Sequence, residues 1–132
     1  MPKLINSYSL TVAEVLEIHH KVIIISGGSF GMRDEGLLES AVMRPQATFG
    51  GQDLYPDLAA EAAAMMQSIV KNYALVDGNK RTALISAAFF LRKNGCEITA
   101  SENEKFDLAI QVAKDLIDFA GTRDWFVKYC ST

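Results

Sequence analysis

The residues whose types and order could do chemistry are Asp77-Gly78-Asn79-Lys80-Arg81-Thr82, a polar run between two apolar, helix-forming stretches. Lys80 and Arg81 fall in the first turn of the second stretch, where the helix macrodipole disfavours a cation by roughly 0.3–1 kcal/mol each. An anion would offset that cost. The free N–H groups of a helix start, a glycine that admits close approach and two cationic side chains together make a phosphate cradle. A carboxylate at Asp77 is out of place beside phosphate alone, but it is the expected ligand where Mg2+ bridges phosphate oxygens. The competing reading is a plain helix–helix turn, with Asp77 as an ordinary cap and the two cations solvated. A P-loop is rejected, because G-x-x-x-x-G-K-[ST] follows a strand, whereas Lys80 follows Asn79 and the residues before it read as helix.

His19 and His20 are the other acid–base candidates. As neighbours on a helix they point in different directions, and both are expected at the surface or partly packed, away from any proton transfer. Met65 and Met66 read as core filling. Cys96 and Cys130 have no CxxC or Cys/His spacing, so neither a zinc site nor a disulfide framework is indicated.

The elements that must position the polar run are helical. Thr11 with Glu14 forms a capping box ahead of the apolar stripe Val12, Val15, Leu16, Ile18 and Val22, and the helix should stop near Ser26 before Gly27-Gly28-Ser29-Phe30-Gly31. Asp34 begins a short helix closed by Pro45. Gln46 to Tyr55, rich in glycine and polar groups, reads as an ordered or partly mobile connection. Pro56 and Asp57 sit where a helix would start, and an alanine-rich helix follows from Leu58 to Val70 and is placed at the centre of the bundle, since alanine permits close packing. Apolar periodicity resumes from Thr82 to Leu91 and ends at Asn94-Gly95; being hydrophobic almost all round, this helix is expected to be the buried one. Ser101 with Glu104 starts another helix, and Gly121 separates a last short one carrying Trp125, Phe126 and Tyr129.

At 132 residues and 49% hydrophobic, the chain predicts one all-α, compact helical bundle spanning 1–132 as a single domain. A net charge of -3 gives no global basic field, which argues against DNA or RNA as a direct partner. No apolar run reaches roughly 18 residues, and Met1–Asn6 lacks a basic segment leading into an apolar one. A cytoplasmic protein without a membrane contact is the expectation.

The segment Tyr73-Ala74-Leu75-Val76-Asp77-Gly78-Asn79-Lys80-Arg81 resembles the signature of the Fic/Doc family, His-x-Phe-x-Asp/Glu-Gly/Ala-Asn-Gly/Lys-Arg. The blocks Arg33-Asp34-Glu35-Gly36-Leu37-Leu38 and Arg44-Pro45-Gln46-Ala47-Thr48-Phe49 are similar to death-on-curing toxins of that family. The likeness runs from about Leu10 to Gly95. It implies a Fic/Doc-type helical fold, ATP and Mg2+ as cofactors, Asp77 as the metal ligand, and Gly78, Asn79, Lys80 and Arg81 as the phosphate-binding residues. Lys80 stands where AMP-transferring members carry glycine and the Doc branch carries lysine. In that branch the implied activity is transfer of the terminal phosphate of ATP to a threonine of elongation factor Tu, which arrests translation, under restraint by a small Phd-like antitoxin.

Two positions depart from the signature. Tyr73 replaces the histidine that deprotonates the target hydroxyl, and a phenol with an ordinary pKa of about 10 is a poor base at neutral pH. An engineered attenuation, a natural inactive variant and a base activated by Lys80 and Arg81 all fit, so the kinase activity is expected to be impaired. The alternatives are a Fic-type AMP transferase and an inactive nucleotide- or antitoxin-binding pseudoenzyme. Packing of the Tyr73 ring on an Ile69, Val70, Tyr73 face is the purely structural reading. Leu75 replaces the signature phenylalanine, a milder change of core anchor.

Overall fold

A computed structural model describes residues 7–131. The Met1–Asn6 reading lies outside the described residues. Six α-helices dominate: α1 Val12–Ser26, α2 Glu35–Met43, α3 Leu58–Asn72, α4 Asn79–Lys93, α5 Glu102–Ala113 and α6 Phe119–Tyr129. Their starts follow the sequence closely. Thr11 and Ser101 complete reciprocal capping boxes with Glu14 and Glu104, while Asp34, Asp57 and Asp118 each accept a main-chain N–H in the first turn of α2, α3 and α6.

Helix α3 is the axis, buried on nearly all sides from Ala59 to Val70 and packed against α2, α4 and α6. Its alanines let those helices approach, and larger side chains fill the space between them: Leu38 of α2, Met65, Met66 and Ile69 of α3, Phe90 and Leu91 of α4 and Phe126 of α6 are all fully buried. Truncating one of these, such as Phe90, to alanine would remove about 3–5 kcal/mol.

Three expectations change. Helix α4 is not buried all round: Ile85 is 44% and Phe89 38% exposed, and with Ile18, Val22 and Ile25 of α1 they line an open groove that Arg81 borders. Gln46–Tyr55 takes the ordered form of the connection. A 3-10 turn at Arg44–Gln46 absorbs Pro45, and β1 Thr48–Phe49 then pairs antiparallel with β2 Gln52–Asp53 across Gly50-Gly51. Both glycines have positive φ, 59° and 79°, which lets so short a hairpin close. Gly121 does not separate the last helix from its approach but lies in the first turn of α6, donating its N–H to the Asp118 cap.

The cysteines supply the third change. The α5–α6 excursion returns the chain to β3, Glu97–Ile98, where β4, Cys130–Ser131, pairs antiparallel with it. That pairing brings Cys96 and Cys130 together as a disulfide, with Cα atoms 5.8 Å apart. A separation of 34 residues hid this in the sequence. No helix among the described residues is long and apolar enough to cross a membrane.

Candidate functional site

The polar run sits where α3 ends and α4 begins, and its shape starts at Tyr73. This residue closes α3 in the left-handed region (φ 49°, ψ 42°) and turns the chain out of the helix. Such a conformation is uncommon for a bulky side chain. The ring is 53% exposed, so the packed-aromatic reading on the Ile69 and Val70 face does not hold. Ala74 and Leu75 then dive into the core, both fully buried.

A second strand of chain secures the segment. Met32 forms an antiparallel bridge with Leu75, the Arg33 and Asp34 N–H groups both donate to the Ala74 carbonyl, and the Val76 N–H donates to Gly31. From the other side, the Asn79 side-chain oxygen accepts the Leu75 N–H at 3.2 Å and its amide donates to the Leu75 carbonyl at 2.9 Å. The Asn79 side chain therefore holds the turn itself together.

Asp77 is exposed, and its carboxylate turns toward the glycine loop after α1, where Oδ2 accepts the Ser29 N–H at 2.9 Å. Gly28 makes that approach possible: a Cβ there would meet Asp77 Oδ2 at 3.3 Å, and its φ of 112° disfavours any other residue. The main-chain oxygen of Asp77 turns the opposite way and lies 2.8 Å from His19 Nε2 on α1. His19 is 3% exposed. The expected surface or partly packed position is thus corrected for His19, which is buried against the motif, whereas His20 is exposed and stacks on Phe30 at 4.8 Å.

Gly78 is the N-cap of α4, in the left-handed region, and offers no side chain to cap the helix. The five other α-helices all have a side-chain cap. The Asn79, Lys80 and Arg81 N–H groups consequently meet no acceptor among the described residues. Three outward N–H groups at a dipole's positive end are the arrangement that binds phosphate.

Both cations are exposed. Lys80 makes no hydrogen bond or ion pair with the described residues. Arg81 folds toward the end of α1, donating to Ser26 Oγ at 3.0 Å with its guanidinium 5.6 Å from the Phe106 ring centre. The C-terminal end of α1 carries negative partial charge and has no basic residue of its own. That placement offsets part of the macrodipole penalty that Arg81 meets at the start of α4.

The structure therefore gathers Tyr73, Asp77, Gly78, Asn79, Lys80 and Arg81 into one turn and first helical turn. It adds His19, Ser26, Ser29 and Phe106, which sequence spacing did not connect to it. Only Gly27-Gly28-Ser29, a flexible stretch at the end of a capped helix, hinted at a loop able to reach across. Among the described residues no three His, Cys, Asp or Glu side chains gather as a metal cage. Mg2+ carried by phosphate needs only one or two protein carboxylates and keeps several waters, so Asp77 beside a phosphate cradle fits it.

Comparison with known proteins agrees with the signature. The profile of the Fic/DOC family matches residues 9–91. "Toxin Doc" of Mycolicibacterium smegmatis is 48% identical over 101 residues, 76% of this chain and 73% of that protein. "Protein kinase doc" of Escherichia phage P1 is 33% identical over 111 residues, 84% of this chain and 86% of the phage protein.

Proposed function

The chain belongs to the Fic/DOC family, and from that membership we propose that it is a Doc-type toxin, acting in the cytoplasm, that moves the terminal phosphate of ATP to a threonine hydroxyl of elongation factor Tu. The observation that carries the reading is the uncapped start of α4, with three unpartnered N–H groups between the Asp77 carboxylate and the Lys80 and Arg81 cations. The names of the two relatives support the toxin and kinase parts of it. A toxin of this kind needs a separate inhibitor, for which a small Phd-like antitoxin is the candidate.

In the transfer, the γ-phosphorus gains a bond to the threonine oxygen and loses its bond to the oxygen bridging to the β-phosphate, releasing ADP. The α4 N–H groups, Lys80 and Arg81 would bind and orient the phosphates and neutralise charge on the transferring group, so catalysis is chiefly positioning and electrostatics. Mg2+, held by Asp77, would supply further neutralisation of the phosphate oxygens. The hydroxyl proton needs an acceptor, and at that position the chain has Tyr73. A neutral phenol does not take the proton, which favours a second reading in which this chain binds nucleotide and antitoxin but turns over slowly or not at all.

Incubating the Tyr73→His protein with γ-labelled Mg-ATP and purified elongation factor Tu tests the proposal. Label on a threonine of the factor is expected. An unlabelled factor would overturn the target, and absence of any Mg-ATP binding would overturn the site.

A further inference from the structure

Hydrophobic packing alone does not call for a histidine at position 19. The ring lies among Val22, Ile23 and the Gly78 main chain, where an aliphatic side chain would fill space without desolvating a polar group. What the imidazole adds is its contact with Asp77. A carbonyl oxygen only accepts, so His19 Nε2 carries the proton and donates it at 2.8 Å.

The acceptor belongs to the Asp77–Gly78 peptide, which is planar. Fixing its oxygen fixes the plane on which two parts of the site hinge: the carboxylate of Asp77 on one side, and Gly78, the N-cap that launches α4, on the other. The plane is also seated on α1. A Cβ on Gly78 would lie 3.2 Å from Ile23 Cδ1, 3.3 Å from Val22 Cγ1 and 3.7 Å from His19 Cδ2, so the main chain rests directly on the helix that carries the histidine.

We propose that His19 is a positioning residue of the nucleotide site: its Nε2–H clamps the Asp77–Gly78 peptide and thereby sets the Asp77 carboxylate relative to the unpartnered N–H groups of α4. The inference rests on the nucleotide-binding reading above. It requires no proton transfer by His19.

Three substitutions separate a clamp from ordinary core packing. His19→Gln can present an amide N–H near the Nε2 position, His19→Asn places the same amide too short to reach, and His19→Leu removes the donor. Val15→Ala, fully buried at the start of α1 beside the far end of α4, where Glu14 pairs with Lys93, serves as a control that lowers stability away from the turn. Two quantities are measured on each full chain: amide hydrogen exchange across Leu75–Arg81 without ligand, and Mg-ATP affinity by calorimetry.

Loss of one buried hydrogen bond predicts about tenfold faster exchange in this segment and about tenfold weaker Mg-ATP binding for His19→Leu and His19→Asn. His19→Gln should stay near the original protein in both, and Val15→Ala should lower the melting temperature without changing affinity. If His19→Asn and His19→Gln behave alike, the donor does not act as a clamp, a comparison that stands even where the leucine variant does not fold. If the unsubstituted chain binds no Mg-ATP, the nucleotide reading fails, and exchange alone decides whether His19 holds the peptide. Unchanged exchange across Leu75–Arg81 in the asparagine variant overturns the clamp.

Discussion

Asn79 closes the turn by bonding both main-chain groups of Leu75, accepting its N–H at 3.2 Å and donating to its carbonyl at 2.9 Å. The amide thus does the work of a short strand pair between two helix ends. Asn79→Ala leaves both groups of a buried residue without that partner, a loss of about 1–3 kcal/mol. Thermal unfolding should show the lower stability. Mg-ATP affinity should fall with it, because the same turn presents the α4 N–H groups; a destabilised variant with unaltered affinity would mean that the turn and the nucleotide site are separate.

Asp77→Ala should behave differently. Its carboxylate is exposed and makes one hydrogen bond, to Ser29 N–H, so folding should change by less than about 1 kcal/mol. Nucleotide binding in the presence of Mg2+ should weaken strongly, since no other carboxylate lies in the motif. Calorimetric titration with and without Mg2+ reads both effects. Equal Mg-ATP affinities for the two proteins would remove Asp77 from the site.

Asp57 caps α3 through the Ala60 N–H and pairs with Arg123 of α6 at 2.7 Å. Burial pushes its carboxyl pKa up, but the Arg123 hydrogen bond and the Ala60 N–H outweigh that and hold it below the ordinary value. A depressed pKa means stability that is fully present above the unfolded-state value, near 3.9, and lost as the pH falls through the folded-state value. Asp57→Asn keeps the cap and removes the ion pair. Its melting temperature should sit a few degrees below the parent's at neutral pH, with the gap beginning to close near about pH 4 and vanishing only below the lowered folded-state value. A constant difference across that range would show that the ion pair is not the cause.

The local chemistry of this fold was legible in the sequence wherever it is local. Thr11 with Glu14, Ser101 with Glu104, and the aspartates before α2 and α3 are short-range caps, and each starts its helix as the spacing says. The order Asp77 to Arg81 placed the candidate cradle at the helix start for the same reason. What the sequence did not show are contacts that need the packed bundle: His19 reaching Asp77 over 58 positions, Arg81 meeting Ser26 over 55, and Cys96 meeting Cys130. The exposed face of α4 escaped notice because a hydrophobic stripe facing a groove has the same periodicity as one facing a core.

Lys80 has no partner among the described residues, so in the proposed function its ammonium would be available to a phosphate group and its volume would bear on which phosphate fits. Lys80→Gly in a Tyr73→His background should shift transfer from phosphate toward AMP. Parallel reactions with α- and γ-labelled ATP distinguish the two products. An unaltered pattern of label would exclude Lys80 as the selector.

In the proposed function Tyr73 stands where the hydroxyl proton must be taken up, and its position makes replacement by histidine physically simple. The residue sits at φ 49° and ψ 42° with its ring exposed. Histidine is enriched among non-glycine residues with positive φ, so Tyr73→His should leave stability equal or slightly higher. The ring is not among the bonds that hold the turn, which run through Leu75, Asn79, Asp77 and His19, so nucleotide affinity should be nearly unchanged. An imidazole with an ordinary pKa near 6.5 is substantially neutral at physiological pH and accepts a hydroxyl proton, whereas a phenol near 10 would first have to ionise. General-base assistance is worth about 10² to 10⁴ in rate, and the gain should fall on kcat rather than on binding. Expressed without antitoxin, Tyr73→His should arrest growth while the chain with tyrosine is tolerated, and purified protein should label elongation factor Tu at correspondingly different rates. Comparable rates from the two forms would show that Tyr73 is not a crippled base, and that the proton leaves through tyrosine itself or through another group.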